Sequence, residues 1–242
     1  MRALLKKTLS QMPLPVRLGI IRAGTALRLD SALPIPRAAR SLAAHDFQTW
    51  IKRYITSATP FFLERTDLYR YVYENFMRNR AIAYYEFGVH EGRSIHFWSQ
   101  MVANLDSRFY GFDSFEGLPE DWDPENPKGT FNVAGNIPEL HDDRVAFIKG
   151  WFQDTLPVNQ NLFETNMPKI IHLDADLYSS TMTVFDEVGA TIKPNDIVIF
   201  DEFCDIAHEF RALGDYCANT GRNYEVLGAT SFFVQVAIRF KN

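Results

Sequence analysis

From Ala81 onwards the sequence alternates between short apolar stretches and longer amphipathic ones, and this rhythm limits the fold more than any other feature. Strands are expected at 82–87, 108–112, 145–149, 169–173 and 197–200, and helices at 93–105, 179–192 and 205–219. Such strand–helix–strand order implies a mainly parallel sheet covered by helices on both faces. Two last strands, 224–228 and 232–240, are separated only by Ala229-Thr230-Ser231. So short a loop forces an antiparallel pair. The expectation is an α/β, Rossmann-like sheet of seven strands, mostly parallel, whose last strand runs against the others.

The stretch Ala83-Tyr84-Tyr85-Glu86-Phe87-Gly88-Val89-His90-Glu91-Gly92-Arg93-Ser94 reads as a strand, a glycine-relieved turn and the start of a helix. Gly88 and Gly92 remove side chains where a ligand would press on the backbone, and helix amides then face that ligand. The pattern is not the Gly-x-Gly-x-x-Gly that cradles a dinucleotide pyrophosphate. Glu86 adds negative charge beside the turn, which suits a cation better than a diphosphate. S-adenosylmethionine, with its sulfonium and ammonium, is such a cation. A ligand-free strand–helix turn is the plainer reading of the same residues.

Composition bears on the partners. The chain of 242 residues is 46% hydrophobic and 14% aromatic, enough for a packed core, and its net charge of −5 argues against a nucleic-acid partner. The charge is uneven. Residues 1–40 hold eight of the 25 Lys/Arg and one of the 30 Asp/Glu. They are punctuated by Pro13, Pro15, Pro34 and Pro36, which suggests a basic helical extension over 1–60 ahead of a main domain over 61–242. That arm is read first as packing on the body or on a second subunit, so a homo-oligomer is open. A membrane-surface contact or a transit peptide is the sharper reading. No signal-peptide core or spanning run is found. The two cysteines, Cys204 and Cys217, are read as lying in one helix, about 20 Å apart along its axis and too far to bridge. A reducing, cytoplasmic location follows as the expectation.

Between Asp46 and Arg80, Phe47, Trp50, Ile51, Tyr54 and Ile55 make one helical stripe, and Leu68, Tyr71, Val72, Asn75 and Phe76 another. Residues 114–143 form the longest irregular region, with a length typical of a lid or binding loop.

Ligands of open parallel sheets bind outside the carboxyl ends of the strands. Asp113, after the second strand, is placed to accept ribose hydroxyls, with a solvated turn residue as the alternative. Gly150-Trp151-Phe152, after the third, suit an adenine face, with core packing as the alternative. After the fourth and fifth strands come Asp174, Asp176, Asp201 and Glu202. Four carboxylates on one rim repel unless a cation lies among them, and hard divalent ions take such oxygens. Asp174 and Asp176 are expected to point to opposite sides, one facing a metal ion and the other a substrate hydroxyl. His172 is read as a buried packing histidine, and His90 and His208 as surface or packing residues before catalytic bases.

Glu86-Phe87-Gly88-Val89-x-x-Gly92, Phe112-Asp113-Ser114-Phe115-Glu116-Gly117-Leu118-Pro119, Lys128-Gly129-Thr130-Phe131, Gly150-Trp151-Phe152-x-Asp154-Thr155-Leu156-Pro157 and Leu173-Asp174-Ala175-Asp176-Leu177-Tyr178 occur in this order. Together they resemble the macrocin (TylF/MycF-type) O-methyltransferase family of class I S-adenosylmethionine-dependent enzymes. The resemblance implies that Glu86, Gly88 and Gly92, with Ser94, line the methionine end of the cofactor. It implies that Asp113 holds the ribose with Ser114 nearby, that Gly150, Trp151 and Phe152 flank the adenine, and that Asp174 lies at the cofactor as well. A magnesium ion would be held by Asp174, Asp201 and Glu202, and Asp176 would be the general base. Many relatives carry Asp-Asp-Tyr where this chain has Asp201-Glu202-Phe203.

The implied reaction is transfer of a methyl group to a hydroxyl of a sugar, glycoside or saccharide. A phenol or catechol acceptor would use the same fold and metal. A nicotinamide-dependent oxidoreductase lacks its glycine fingerprint here, and a non-catalytic cofactor-binding or scaffold protein would keep the glycines yet turn nothing over.

Overall fold

The computed structural model describes residues 37–241, with side chains from His45 onwards. The expected basic extension over 1–60 is therefore described only from 37, and its first part lies outside the described residues. The elements are α1 (Arg37–Tyr54), β1 (Phe61–Phe62), α2 (Arg65–Val72), β2 (Ala83–Phe87), α3 (Arg93–Met101), β3 (Arg108–Asp113), β4 (Val145–Lys149), α4 (Phe152–Thr155), β5 (Lys169–Leu173), α5 (Tyr178–Val188), β6 (Ile197–Phe200), α6 (Glu209–Thr220), β7 (Tyr224–Thr230) and β8 (Val236–Phe240).

One sheet runs β1-β7-β8-β6-β5-β2-β3-β4. Every pairing is parallel except those of β8 with β6 and with β7, so the last strand opposes the rest. There are eight strands rather than seven. The extra one is β1, whose Phe61 and Phe62 pair with Ala229 and Thr230; two residues carry no period to read.

Alternation divides each strand between two cores. Ala83, Tyr85 and Phe87 of β2 face a core built with α1, α5 and α6, where Phe47, Trp50 and Ile51 meet Phe203 and Phe233. Tyr84 faces the other core, with Leu68, Tyr69 and Val72 of α2 and Ile95 and Trp98 of α3. The stripe expected on α2 is displaced. Asn75 is exposed and Tyr69 is buried. After Val72 the helix widens into a π-type turn over Tyr73–Met77, which shifts the face and buries Met77.

Helix α6 starts at Glu209, not at 205, so Cys204 lies in the turn before it and Cys217 within it. The two thiols are free, although they do not share a helix. Among the described residues no helix is long and apolar enough to cross a membrane.

Candidate active site

Strand register decides what meets at the sheet's carboxyl edge. Glu86 pairs with His172, which pairs with Ile199, and Phe87, Leu173 and Phe200 form the next row. The ladder runs one residue further, with Asp174 N–H donating to Phe87 O at 2.9 Å and Asp201 N–H to Leu173 O at 2.8 Å. By parity, Glu86, His172, Asp174 and Asp201 all lie on the α2–α3 face.

Gly88 has φ +93°, and a β-carbon there would lie 1.8 Å from the backbone oxygen of Asp174. What excludes a side chain at this glycine is therefore the neighbouring strand tip, before any ligand is considered. Gly92, at φ +74°, precedes α3, and its missing β-carbon makes room for Pro138. Asp113 secures the turn: its Oδ2 accepts the N–H groups of Val89 and His90, each at 2.7 Å, and its Oδ1 that of Phe115 at 2.7 Å.

Over this edge opens a cavity of about 540 Å³, the size of a small-molecule site. Glu86, Gly88, Ser94, Asp113, Ser114, Gly150, Trp151, Phe152, Asp174, Asp176, Asp201 and Glu202 line it. Gly92 is not among the lining residues. His90 lines the cavity, whereas His208 does not; its Nδ1 accepts the Tyr178 N–H at 3.0 Å. The irregular region 114–143 supplies the outer wall through Leu118, Glu120, Trp122 and Phe131. It is tied down, because Trp122 Nε1 donates to Asp205 at 2.8 Å and Ser179 donates to Glu120.

Beneath the floor runs a buried hydrogen-bonded chain. Tyr84 donates to Glu86 at 2.9 Å and meets His172 Nδ1 at 2.8 Å. Tyr69 meets His172 Nε2 at 3.2 Å and donates to Asp201 Oδ1 at 3.4 Å. His172, Asp174 and Asp201 bring ligand atoms within 4.8 Å of one another, a grouping that omits Glu202. Both ring nitrogens of His172 are already engaged by tyrosine hydroxyls, so the packing role expected of it holds and the carboxylates are the better donors.

The acids outnumber their partners, and their protonation reflects it. Burial pushes Glu86 up to about 8, against the lowering effect of the Tyr84 hydrogen bond. Burial, then repulsion from Glu202 and Asp201, pushes Asp176 up to about 8. Asp174 is driven well above the carboxylate range by burial and by Asp201 and Asp176. Burial also acts upward on Asp201, but His172, Arg65 and Gln235 together hold it below the usual range. Asp176 sits at φ +58°, so it is not the continuation of an extended strand. It and Asp174 nevertheless line the same cavity, rather than opposite sides of the strand tip.

Arg65 and Tyr69 had no signal in the sequence beyond an amphipathic helix, because only docking of α2 over the strand tips brings them to the acids. His172 could have been placed with Asp174, since residues two apart on a strand share a face.

A family model for macrocin-O-methyltransferase (TylF) matches residues 81–227, more than half of the chain. The mycinamicin III 3''-O-methyltransferase of Micromonospora griseorubida is 29% identical over 123 residues, covering 41% of this chain and 47% of that protein. The 8-demethyl-8-(2,3-dimethoxy-alpha-L-rhamnosyl)-tetracenomycin-C 4'-O-methyltransferase of Streptomyces olivaceus is 31% identical over 144 residues, covering 50% and 54%. The chain thus matches about half the length of these curated relatives. Among solved structures, the calicheamicin methyltransferase CalS11 superposes with a TM-score of 0.56 at 19% identity, covering 91% of each chain. The O-methyltransferase NovP gives 0.54 at 20% identity, covering 73% of this chain and 78% of its own. Both likenesses show a shared fold.

Proposed function

Because the chain belongs to the macrocin-O-methyltransferase family, we propose that it methylates a hydroxyl of a sugar or glycoside with S-adenosylmethionine as donor. The observation that carries this reading is the acid-lined cavity at the carboxyl edge, with its outer wall of aromatic and polar lid residues. Its excess of negative charge suits a ligand bearing a sulfonium and an ammonium. The relatives from Micromonospora griseorubida and Streptomyces olivaceus, both O-methyltransferases and the second named for a rhamnosyl-bearing substrate, support a sugar acceptor.

Glu86, held by Tyr84, is the carboxylate for the cationic methionine end, and Ser94, at the start of α3, lines the same cavity. Asp113 spends three acceptor positions on the turn; its Oδ1, which accepts a single N–H, is the oxygen with capacity for a ribose hydroxyl. Ser114 flanks it, and Trp151 and Phe152 offer aromatic surface to the adenine, Phe152 being held edge-on by Phe87 at 5.8 Å. S-adenosylmethionine, when bound, supplies a methyl carbon already activated by positive sulfur.

Asp174, Asp201 and Glu202 would hold a magnesium ion. The fit rests on the chemistry of the donors: buried oxygen ligands, with burial and then repulsion from Asp201 and Asp176 pushing Asp174 upward. The ion, when bound, would supply positive charge to stabilise a developing alkoxide. Asp176 takes the acceptor proton, and its upward shift to about 8 makes it a base matched to neutral pH. Trp122 and Phe131 shield the reacting centre from water.

The test is calorimetry with S-adenosylhomocysteine, followed by transfer of labelled methyl groups to a panel of glycosides, catechols and phenols with magnesium present. Binding with label on glycosides is expected. No binding, or label only on phenols, rejects the sugar reading.

A further inference from the structure

Asp201 uses its two oxygens differently. Its Oδ1 is occupied from below by Tyr69 at 3.4 Å and by His172 Nε2 at 3.5 Å. Its Oδ2 is the oxygen on the side of α2 and the cavity-lining Arg65. Arg65 already holds it, with Nη1 at 3.3 Å. Arg65 begins α2, one helical turn before Tyr69, so both side chains descend from the same helix face onto the acids. Unlike Tyr69, Arg65 keeps 36% of its side chain exposed and lines the cavity. It has somewhere to go.

We propose that Arg65 is an internal competitor for the cation position at Asp201, so that a divalent ion binds there only by displacing the guanidinium. This rests on the metal-binding part of the function proposed above. Two positive groups within a few ångströms of one carboxylate oxygen repel each other. Among the described residues, Arg65 is the lining side chain that forms an ion pair with the acids of the strand tips. The chain thereby carries its own counter-charge for Asp201, and metal affinity is reduced by whatever that contact contributes.

The experiment is a Mn2+ titration followed by electron paramagnetic resonance on the cofactor-free chain, comparing wild type with Arg65→Met, Arg65→Gln and Arg65→Lys. Melting curves check that each variant folds. Removing the charge in the Met and Gln variants is expected to tighten Mn2+ binding by about fivefold or more, while Lys stays close to wild type. Equal or weaker binding in the charge-free variants overturns the proposal, as does an absence of Mn2+ binding in all four proteins. S-adenosylhomocysteine calorimetry runs alongside. Failure there rejects the methyltransferase reading, whereas normal cofactor binding with unchanged Mn2+ affinity rejects the competition alone.

Discussion

The two halves of the strand edge handle negative charge in opposite ways. At the β2–β3 end, Asp113 is neutralised by the backbone, accepting three N–H groups at 2.7 Å. At the β5–β6 end, Asp174 and Asp176, with Glu86 on neighbouring β2, crowd together, and burial pushes them upward. The first half is held in shape by the backbone and keeps only the spare capacity of Asp113 Oδ1 for a ligand. The second is left with charge that protonation, Arg65 or a bound cation must offset. A carboxylate near a binding edge is thus not one kind of residue: the donors around it decide whether it shapes the site or waits for a partner.

The comparison breaks most severely at Gly88, where the two halves touch. Gly88→Ala places a β-carbon against the Asp174 backbone at a positive φ. A loss of stability on the order of 4 kcal/mol or more is expected from denaturant unfolding, with cofactor binding lost as well. Next comes the paired change Asp174→Asn with Asp201→Asn. It should keep the fold but lower the melting temperature modestly, because Asp201 loses its ion pair with Arg65, while magnesium-stimulated turnover falls at least about a hundredfold. Chelation by EDTA that leaves wild-type turnover intact would remove the metal from the account.

Asp113→Ala tests the scaffold half. Three N–H groups lose their acceptor, at a cost of about 1–3 kcal/mol in urea unfolding. Adenosylhomocysteine affinity should fall by roughly tenfold or more. A variant with normal affinity would confine Asp113 to the turn.

A change of pH tests the acid half without any substitution. Glu86 and Asp176 bind protons more tightly in the folded chain than in the unfolded one, each titrating at about 8. Between the ordinary carboxylate range and pH 8 the folded state therefore holds more protons, and stability falls as pH rises through that window. The ligand-free protein should melt lower at pH 8.5 than at pH 6, and Glu86→Gln should flatten the slope. A flat wild-type profile would mean that the acid half is neutralised by other means.

Much of the architecture was legible. Apolar periodicity located seven strands, and the short gap before the last one required its reversal. That gap spans 231–235 and not Ala229-Thr230-Ser231, because Ala229 and Thr230 pair in the sheet. β1 escaped because two residues have no period. The helical stripe of α2 was misphased at Asn75 because the π-type turn after Val72 is a hydrogen-bonding irregularity, not a compositional one. For the site, the acids at the strand ends could be named from position along the chain, and all of them line one cavity. The glycines were read as ligand contacts, whereas at Gly88 the pressure comes from Asp174.

By itself the sequence determined the parallel sheet and the acids at its carboxyl edge, since both follow from local alternation and from where each apolar stretch stops. Only the tertiary structure decided that Glu86, His172, Asp174 and Asp201 share one face, that Asp113 ties down a turn, and that Arg65 and Tyr69 descend onto Asp201. Those outcomes depend on strand register, turn closure and helix docking, which join residues between 23 and 136 positions apart and leave no trace in any short window of the chain.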